Sequence, residues 1–192
     1  MGLNKFIKSY TSSLSRLLEE IDIEIVTKIV ERFEQTIQEK STIYMIGNGG
    51  SAATASHWSN DFSIGLKRRG IINYDVKSLV DNVPICTAIA NDLGYENIFL
   101  AQLEDILKPE DVIFAISCSG NSPNIINAAE YAKEIGATVI SLTGFSGGKL
   151  KGLSDINFHV QTDDGEYGLV EDAHMVLNHI IYSYYIQKNK DD

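Results

Sequence analysis

His57 and Asp61 stand four residues apart, so a helix through them sets an imidazole and a carboxylate on one face. Such a pair can move protons or ligate a metal ion. Just before them, four apolar residues, Ile43 to Ile46, lead into Gly47-Asn48-Gly49-Gly50-Ser51, followed by small residues. The expectation is a buried strand, a tight glycine turn and a helix N-terminus. Glycines let backbone N–H groups approach a ligand closely, and the positive end of the helix dipole favours an anion, usually a phosphate. A glycine turn of this kind is also common in α/β folds that bind nothing there. No Lys-Ser/Thr follows the glycines and the G-x-G-x-x-G spacing is missing, which argues against a nucleotide.

A second loop has the same character. Ser117, Ser119 and Ser122 follow an apolar run, Asp111 to Ile116, and precede Pro123, a residue suited to a first helical turn. Hydroxyls and backbone amides there suit the oxygens of a phosphate monoester without a fixed positive charge. The plainer alternative is helix capping by Ser122 or Asn121. Three serines after a buried strand favour phosphate.

The elements that must position these groups alternate along the chain. Further strands are expected at Asp75–Val80, Ala137–Leu142 and Ile156–Val160. Helices are expected from Asp81 to about Asn91, from Glu96 to Leu107, from Pro123 to about Ile135, and from about Gly168 to Gln187 before a polar tail. Gly147-Gly148 reads as a turn. That alternation predicts an α/β fold: three layers, with a five-stranded parallel sheet flanked by helices. Ligands in such sheets bind beyond the carboxyl ends of the strands. Residues 3–40 add a helical pair with apolar stripes at Phe6, Tyr10, Leu14, Leu17 and Leu18, and at Ile25, Val26, Ile29, Phe33 and Ile37. These stripes cover either their own domain or a neighbouring subunit. Residues 1–192 are expected to form a single domain, 1–40 being the helical pair and 41–192 the α/β core.

The 192 residues are 44% hydrophobic and 22% charged, as in ordinary globular chains, and carry a net charge of −10. Nucleic acid is repelled overall; the cationic run Lys67-Arg68-Arg69 reads as a solvated helix end. Two cysteines, Cys86 and Cys118, do not make a disulfide framework. No leader segment is visible, and no apolar run reaches the roughly 18 residues of a membrane span. A cytoplasmic protein without membrane partners is expected.

Gly47-Asn48-Gly49-Gly50-Ser51, Ala90-Asn91-Asp92-Leu93-Gly94, Ile116 to Ser122, and Ser141 to Gly144 with Gly147-Gly148-Lys149 together resemble the sugar isomerase (SIS) domain, whose core is flavodoxin-like. They look most like its phosphoheptose isomerase branch, and the likeness spans nearly the whole chain. The resemblance implies a phosphate loop at Ser117, Cys118, Ser119 and Ser122, and a glycine loop at Asn48, Gly49, Gly50 and Ser51. It also implies substrate contacts at Asp61, Asn91, Asp92 and Glu171. The family's histidine falls on His57, its following glutamate on Asp61, and its last-helix glutamine and histidine on Glu171 and His179. The implied function is isomerisation of sedoheptulose 7-phosphate to D-glycero-D-manno-heptose 7-phosphate by a homotetramer with sites between subunits. Asp61 is the implied base, and His179 the acid. A divalent metal, zinc by family habit, would sit on His57, Asp61, Glu171 and His179. The alternatives are an isomerase of another ketose phosphate, and a non-catalytic SIS protein that binds a sugar phosphate or a partner protein, of the replication-initiator-binding type.

Three departures from that pattern stand out. Asp61 is one methylene shorter than glutamate, a shift of roughly an ångström that can cost about a hundredfold in rate. Glu171 replaces glutamine, and the added carboxylate would tighten a divalent-metal site. Gly65 stands where the branch often has arginine. On the last helix, residues eight apart are separated by about 12 Å, so one ion between Glu171 and His179 is at the limit of reach. His174 points elsewhere and reads as structural. Cys118, at a helix start, could be an activated thiol, but isomerisation needs no covalent step and it reads as a small polar filler.

Overall fold

The computed structural model of the chain describes residues 2–191, so Asp192 of the polar tail lies outside the described residues. The elements run α1 Leu3–Glu19, α2 Ile23–Glu39, β1 Thr42–Gly47, α3 Gly49–Asn60, β2 Asp75–Ser78, α4 Val83–Asp92, α5 Leu100–Leu103, β3 Val112–Ser117, α6 Pro123–Ile135, β4 Thr138–Gly144, α7 Gly148–Leu153, β5 Ile156–Val160 and α8 Tyr167–Asp191. All strand pairings are parallel, in the order β2-β1-β3-β4-β5. The expected five-stranded α/β architecture is therefore present.

Sheet alternation divides the core in two. Met45, Phe114, Ile116 and Leu142 face one cluster with Phe33, Trp58, Leu177 and Tyr185, whereas Tyr44, Ile46, Ile113 and Val139 face another with Phe99, Leu103, Ile125 and Leu150. The apolar runs of β1 and β3 are buried at every position, as central parallel strands require. Asp111 holds the strand starts together: its carboxylate accepts from Thr42 N at 2.8 Å and Lys108 N at 2.9 Å, and its carbonyl accepts from Thr138 N.

The helical pair belongs to this core. Asp22 caps α2, its carboxylate accepting from Glu24 N and Ile25 N. Ile29 and Phe33 are fully buried, and Phe33 meets the edges of Trp58, Phe62, Tyr74 and Phe114 at centroid distances of 5.5–6.2 Å. The outer ends of the stripes, Phe6 and Ile37, stay exposed.

Two expectations needed correction. The helix expected over Glu96–Leu107 is broken: a 3-10 turn at Tyr95–Asn97 precedes the single turn α5, and Asp105 takes a left-handed conformation, φ 61°. The break lets Ile98, Phe99, Leu103 and Leu107 all enter the second cluster, which one straight helix face would not. After the Gly147 turn the chain forms α7, which buries Leu150; Gly152 inside it hid the helical pattern.

His174 on α8 is wholly buried, with Nε2 3.3 Å from the Thr143 carbonyl, and burial pushes its pKa down to about 4. Its folded pKa lies below the unfolded value of 6.5, so the unfolded chain binds the extra proton between these values. His174 therefore lets the fold lose roughly 3 kcal/mol as pH falls from about 6.5 to about 4. Urea unfolding across that range should show a shallower pH slope in His174→Gln, by about one proton; an unchanged slope would refute the assignment. Phe33→Ala should lower stability by about 3–5 kcal/mol, seen as a drop in the urea midpoint at constant slope.

Candidate active site

The glycine and serine loops meet where the sequence places them, beyond the carboxyl ends of the adjacent strands β1 and β3. A cavity of about 140 Å³ lies between them, lined by Asn48, Ser51, Ser117, Cys118, Ser119 and Ser122, with Ile116, Tyr167 and Glu171 completing the wall. The N-termini of α3 and α6 begin at these loops, so free amides and two dipole ends favour an anion there. Ser117 and Ser119 hold the turn, their hydroxyls accepting from Gly120 N and Asn121 N. The Ser122 hydroxyl makes no cap bond to its helix. Asn121 instead ties the loop to α7, accepting from Lys149 N at 3.0 Å. Neither capping alternative therefore accounts for these residues. Gly120 is required here: its φ is 62°, and a Cβ would collide with the Gly147 carbonyl.

Burial pushes the Cys118 thiol up to about 11, only partly opposed by contact with the Ser51 hydroxyl. Cys118 is thus a neutral thiol at physiological pH, in keeping with a filler and not a nucleophile.

Acid–base groups converge at a second point along α3. His57 Nε2 lies 3.3 Å from Asp61 Oδ2 and 3.1 Å from His179 Nε2, and donor atoms of all three lie within 4.8 Å of one another. Asp61 begins a π-helical turn, Asp61–Gly65, a distortion often found at functional sites. Despite its short side chain it reaches His57. Two facing Nε2 atoms cannot both carry protons; one must offer a lone pair to the other's N–H or to a cation. Two imidazoles and a carboxylate are a donor set that fits a divalent ion of zinc type.

The four-ligand set expected from the sequence is not assembled. Glu171 stands with the serine-loop cavity, where its carboxylate packs against Gly50 so closely that a Cβ there would clash. Helix pitch explains the separation, since eight residues of α8 span about 12 Å. Gly49 and Gly50 supply backbone without lining the cavity, and Asn91 and Asp92 bond to each other at the exposed end of α4, also outside its lining.

Several residues gave no sequence signal. Asn178, fully buried, donates to Asp61 Oδ2 at 2.8 Å and orients that carboxylate. Asn124 exchanges two amide hydrogen bonds with Asn48, at 2.8 and 2.9 Å, and the Tyr95 hydroxyl donates to Asn48 Oδ1. Asn124 just after Pro123, a polar residue beside Ile125 and Ile126 in the first turn of α6, was the one available hint. Gly65 also finds its reason: a Cβ there would stand 2.8 Å from the Tyr182 hydroxyl, which accepts from Arg69 Nε.

Comparison with known proteins agrees with this geometry. The SIS domain model matches residues 5–144. A phosphoheptose isomerase of Helicobacter pylori is 35% identical over 181 residues, covering 93% of this chain and 91% of its own. A probable phosphoheptose isomerase of Thermoplasma acidophilum is 35% identical over 175 residues, covering 91% and 94%. The solved phosphoheptose isomerase of Neisseria gonorrhoeae superposes with a TM-score of 0.84 at 27% identity, over 97% of this chain and 100% of that one. The chain belongs to the SIS domain family, and within it to the phosphoheptose isomerases.

Proposed function

We propose that this chain is an aldose–ketose isomerase that converts sedoheptulose 7-phosphate to D-glycero-D-manno-heptose 7-phosphate. The carrying observation is two chemically distinct groups along α3: a phosphate cradle of amides and hydroxyls at its N-terminus, and the group His57, Asp61 and His179 at its C-terminal end. About 12 Å of helix axis between Glu171 and His179 leaves room for a sugar chain between the two ends.

Isomerisation needs a proton taken from the carbon beside the carbonyl and charge stabilised on the resulting enediolate oxygens. Asp61 is the base, held in position by Asn178. His179 returns a proton to oxygen. Asn48, fixed by Asn124 and Tyr95, and the backbone of Gly49 and Gly50 line the sugar's path, and Asn91 and Asp92 close over its hydroxyls. A divalent ion, zinc by donor type, would be held by His57, Asp61 and His179, and would polarise the sugar carbonyl. In this reading Glu171 meets substrate and stays outside that ligand set.

The enzyme works in the cytoplasm as a homotetramer with sites between subunits. Supporting this, both cysteines are free thiols, and no described helix is long and apolar enough to cross a membrane. Helix α4 buries no residue of its own and leaves Val83 and Ile85 exposed. A purely binding SIS protein is not favoured, because it has no use for an imidazole pair converging on a buried carboxylate.

With sedoheptulose 7-phosphate followed by NMR, Asp61→Asn should lose at least about a hundredfold in kcat. Chelation should depress the wild-type rate and zinc restore it. No turnover by wild type under any metal condition would overturn the heptose assignment. Glu171→Gln removes a negative charge beside the phosphate cradle, so KM should fall roughly threefold to tenfold with kcat little changed. Abolished turnover in that variant would instead make Glu171 the base.

A further inference from the structure

A larger cavity, about 500 Å³, opens at the opposite end of the strands, where β1 and β2 begin. Its walls include Lys40, Ser41, Ile64, Lys67, Asn73 and Asp75. In a chain with ten excess negative charges, this concavity gathers two lysines that pair with no carboxylate among the described residues. The Asp75 carboxylate is already engaged by the Thr42 hydroxyl and the Lys77 ammonium.

Two further observations set this cavity apart from a surface dent. Ser41 is only 4% exposed, yet its buried hydroxyl has no hydrogen-bond partner, a state that ordinarily costs stability unless a ligand or water satisfies it. Lys40 ends α2 with a left-handed φ of 56°, a position where glycine or asparagine is the cheaper choice. Lys40 lines the wall beside Ser41.

We infer that this cavity is a second anion site, taking a phosphate monoester whose organic part carries hydroxyl groups. Lys40 and Lys67 hold the dianionic phosphate as point charges, and Ser41 donates its free hydroxyl to a phosphate oxygen. Asn73 bonds the hydroxyls, while Ile64 and Ile37 supply an apolar wall. The volume lies within the range of small-molecule sites. The site is placed to be felt at the active centre, because the π-helical turn Asp61–Gly65 starts with Asp61 and carries Ser63 and Ile64 on the cavity wall. The inference does not rest on the catalytic reading.

Calorimetric titration at constant ionic strength, with ribose 5-phosphate as probe, tests it. Lys40→Asn combined with Lys67→Gln should weaken one class of site at least about tenfold; asparagine tolerates the left-handed backbone, so the fold is kept. Ser119→Ala combined with Ser122→Ala should leave that class intact. Ser41→Ala should raise the Tm of the free protein by removing an orphaned hydroxyl, and weaken the probe several-fold. Wild-type affinity in the lysine double variant, or equal displacement of the probe by chloride at the same ionic strength, would overturn the site. Loss of binding confined to the serine variants would do the same. Failure of the serine loop alone to bind the probe would count against the catalytic reading and leave this site standing.

Discussion

The packing of α8 along α3 is the contact on which the candidate active site depends. Going down both helices in parallel, Glu171 lies on Gly50, His179 on His57, Asn178 on Asp61, and Tyr182 on Gly65. Residues 171, 178 and 182 recur at the spacing of one helix face, so a single interface sets every one of these pairs. Glycine at both ends of the contact lets the helices approach. The interface is driven by apolar burial on the sheet side, where Leu177, Ile181 and Tyr185 join Trp58 and Phe62 in one cluster. The polar groups are then positioned by a core that would form without them, and their geometry inherits its rigidity from it.

That arrangement explains which parts of the site could be read from the sequence. Local features were legible: apolar runs for β1 and β3, the glycine and serine loops beyond them, and the His57–Asp61 pair on successive turns. Each depends on neighbours within a few residues. The partners supplied by α8 are more than a hundred residues away, and period and spacing carry no information about which face meets which. The resemblance to a family brought in Glu171 and His179, but assigned both to one metal set; helix rise separates them. Asn178 was invisible because a buried asparagine on an apolar helix face looks like a polar interruption until its partner, Asp61, is known. The break between Tyr95 and Leu107 was missed for a related reason. Four apolar residues there enter the second core cluster, and tertiary packing overrides the helical spacing that the sequence displays.

Charge poses a separate question, since a chain carrying −10 must hold a dianionic phosphate. The cradle between β1 and β3 has no lysine or arginine among its lining residues. Lys149, whose backbone N–H tethers the serine loop through Asn121, has its ammonium paired with Glu130. Attraction there comes from fixed dipoles: two helix N-termini, unpaired amides and the Ser122 hydroxyl. Such groups recognise the shape of a phosphate with little long-range pull, so association through this end gains little from electrostatic steering.

Glu171 sharpens that balance. Its carboxylate borders the same cavity and opposes a bound phosphate, where a neutral amide would not. The opposition is tolerable because neutral donors, unlike an arginine clamp, do not require Glu171 as a counter-charge and leave its oxygens free to accept from sugar hydroxyls. Substrate discrimination then shifts from the phosphate to the chain that joins it to the carbonyl end. A short ketose phosphate seated in the cradle would meet the repulsion of Glu171 without reaching His57 and Asp61. A longer one spans both ends and offsets the repulsion with contacts along the way. If the phosphate sits in the cradle as proposed, the carboxylate at residue 171 would act as a length filter, and its separation from the imidazole cluster would give it that role.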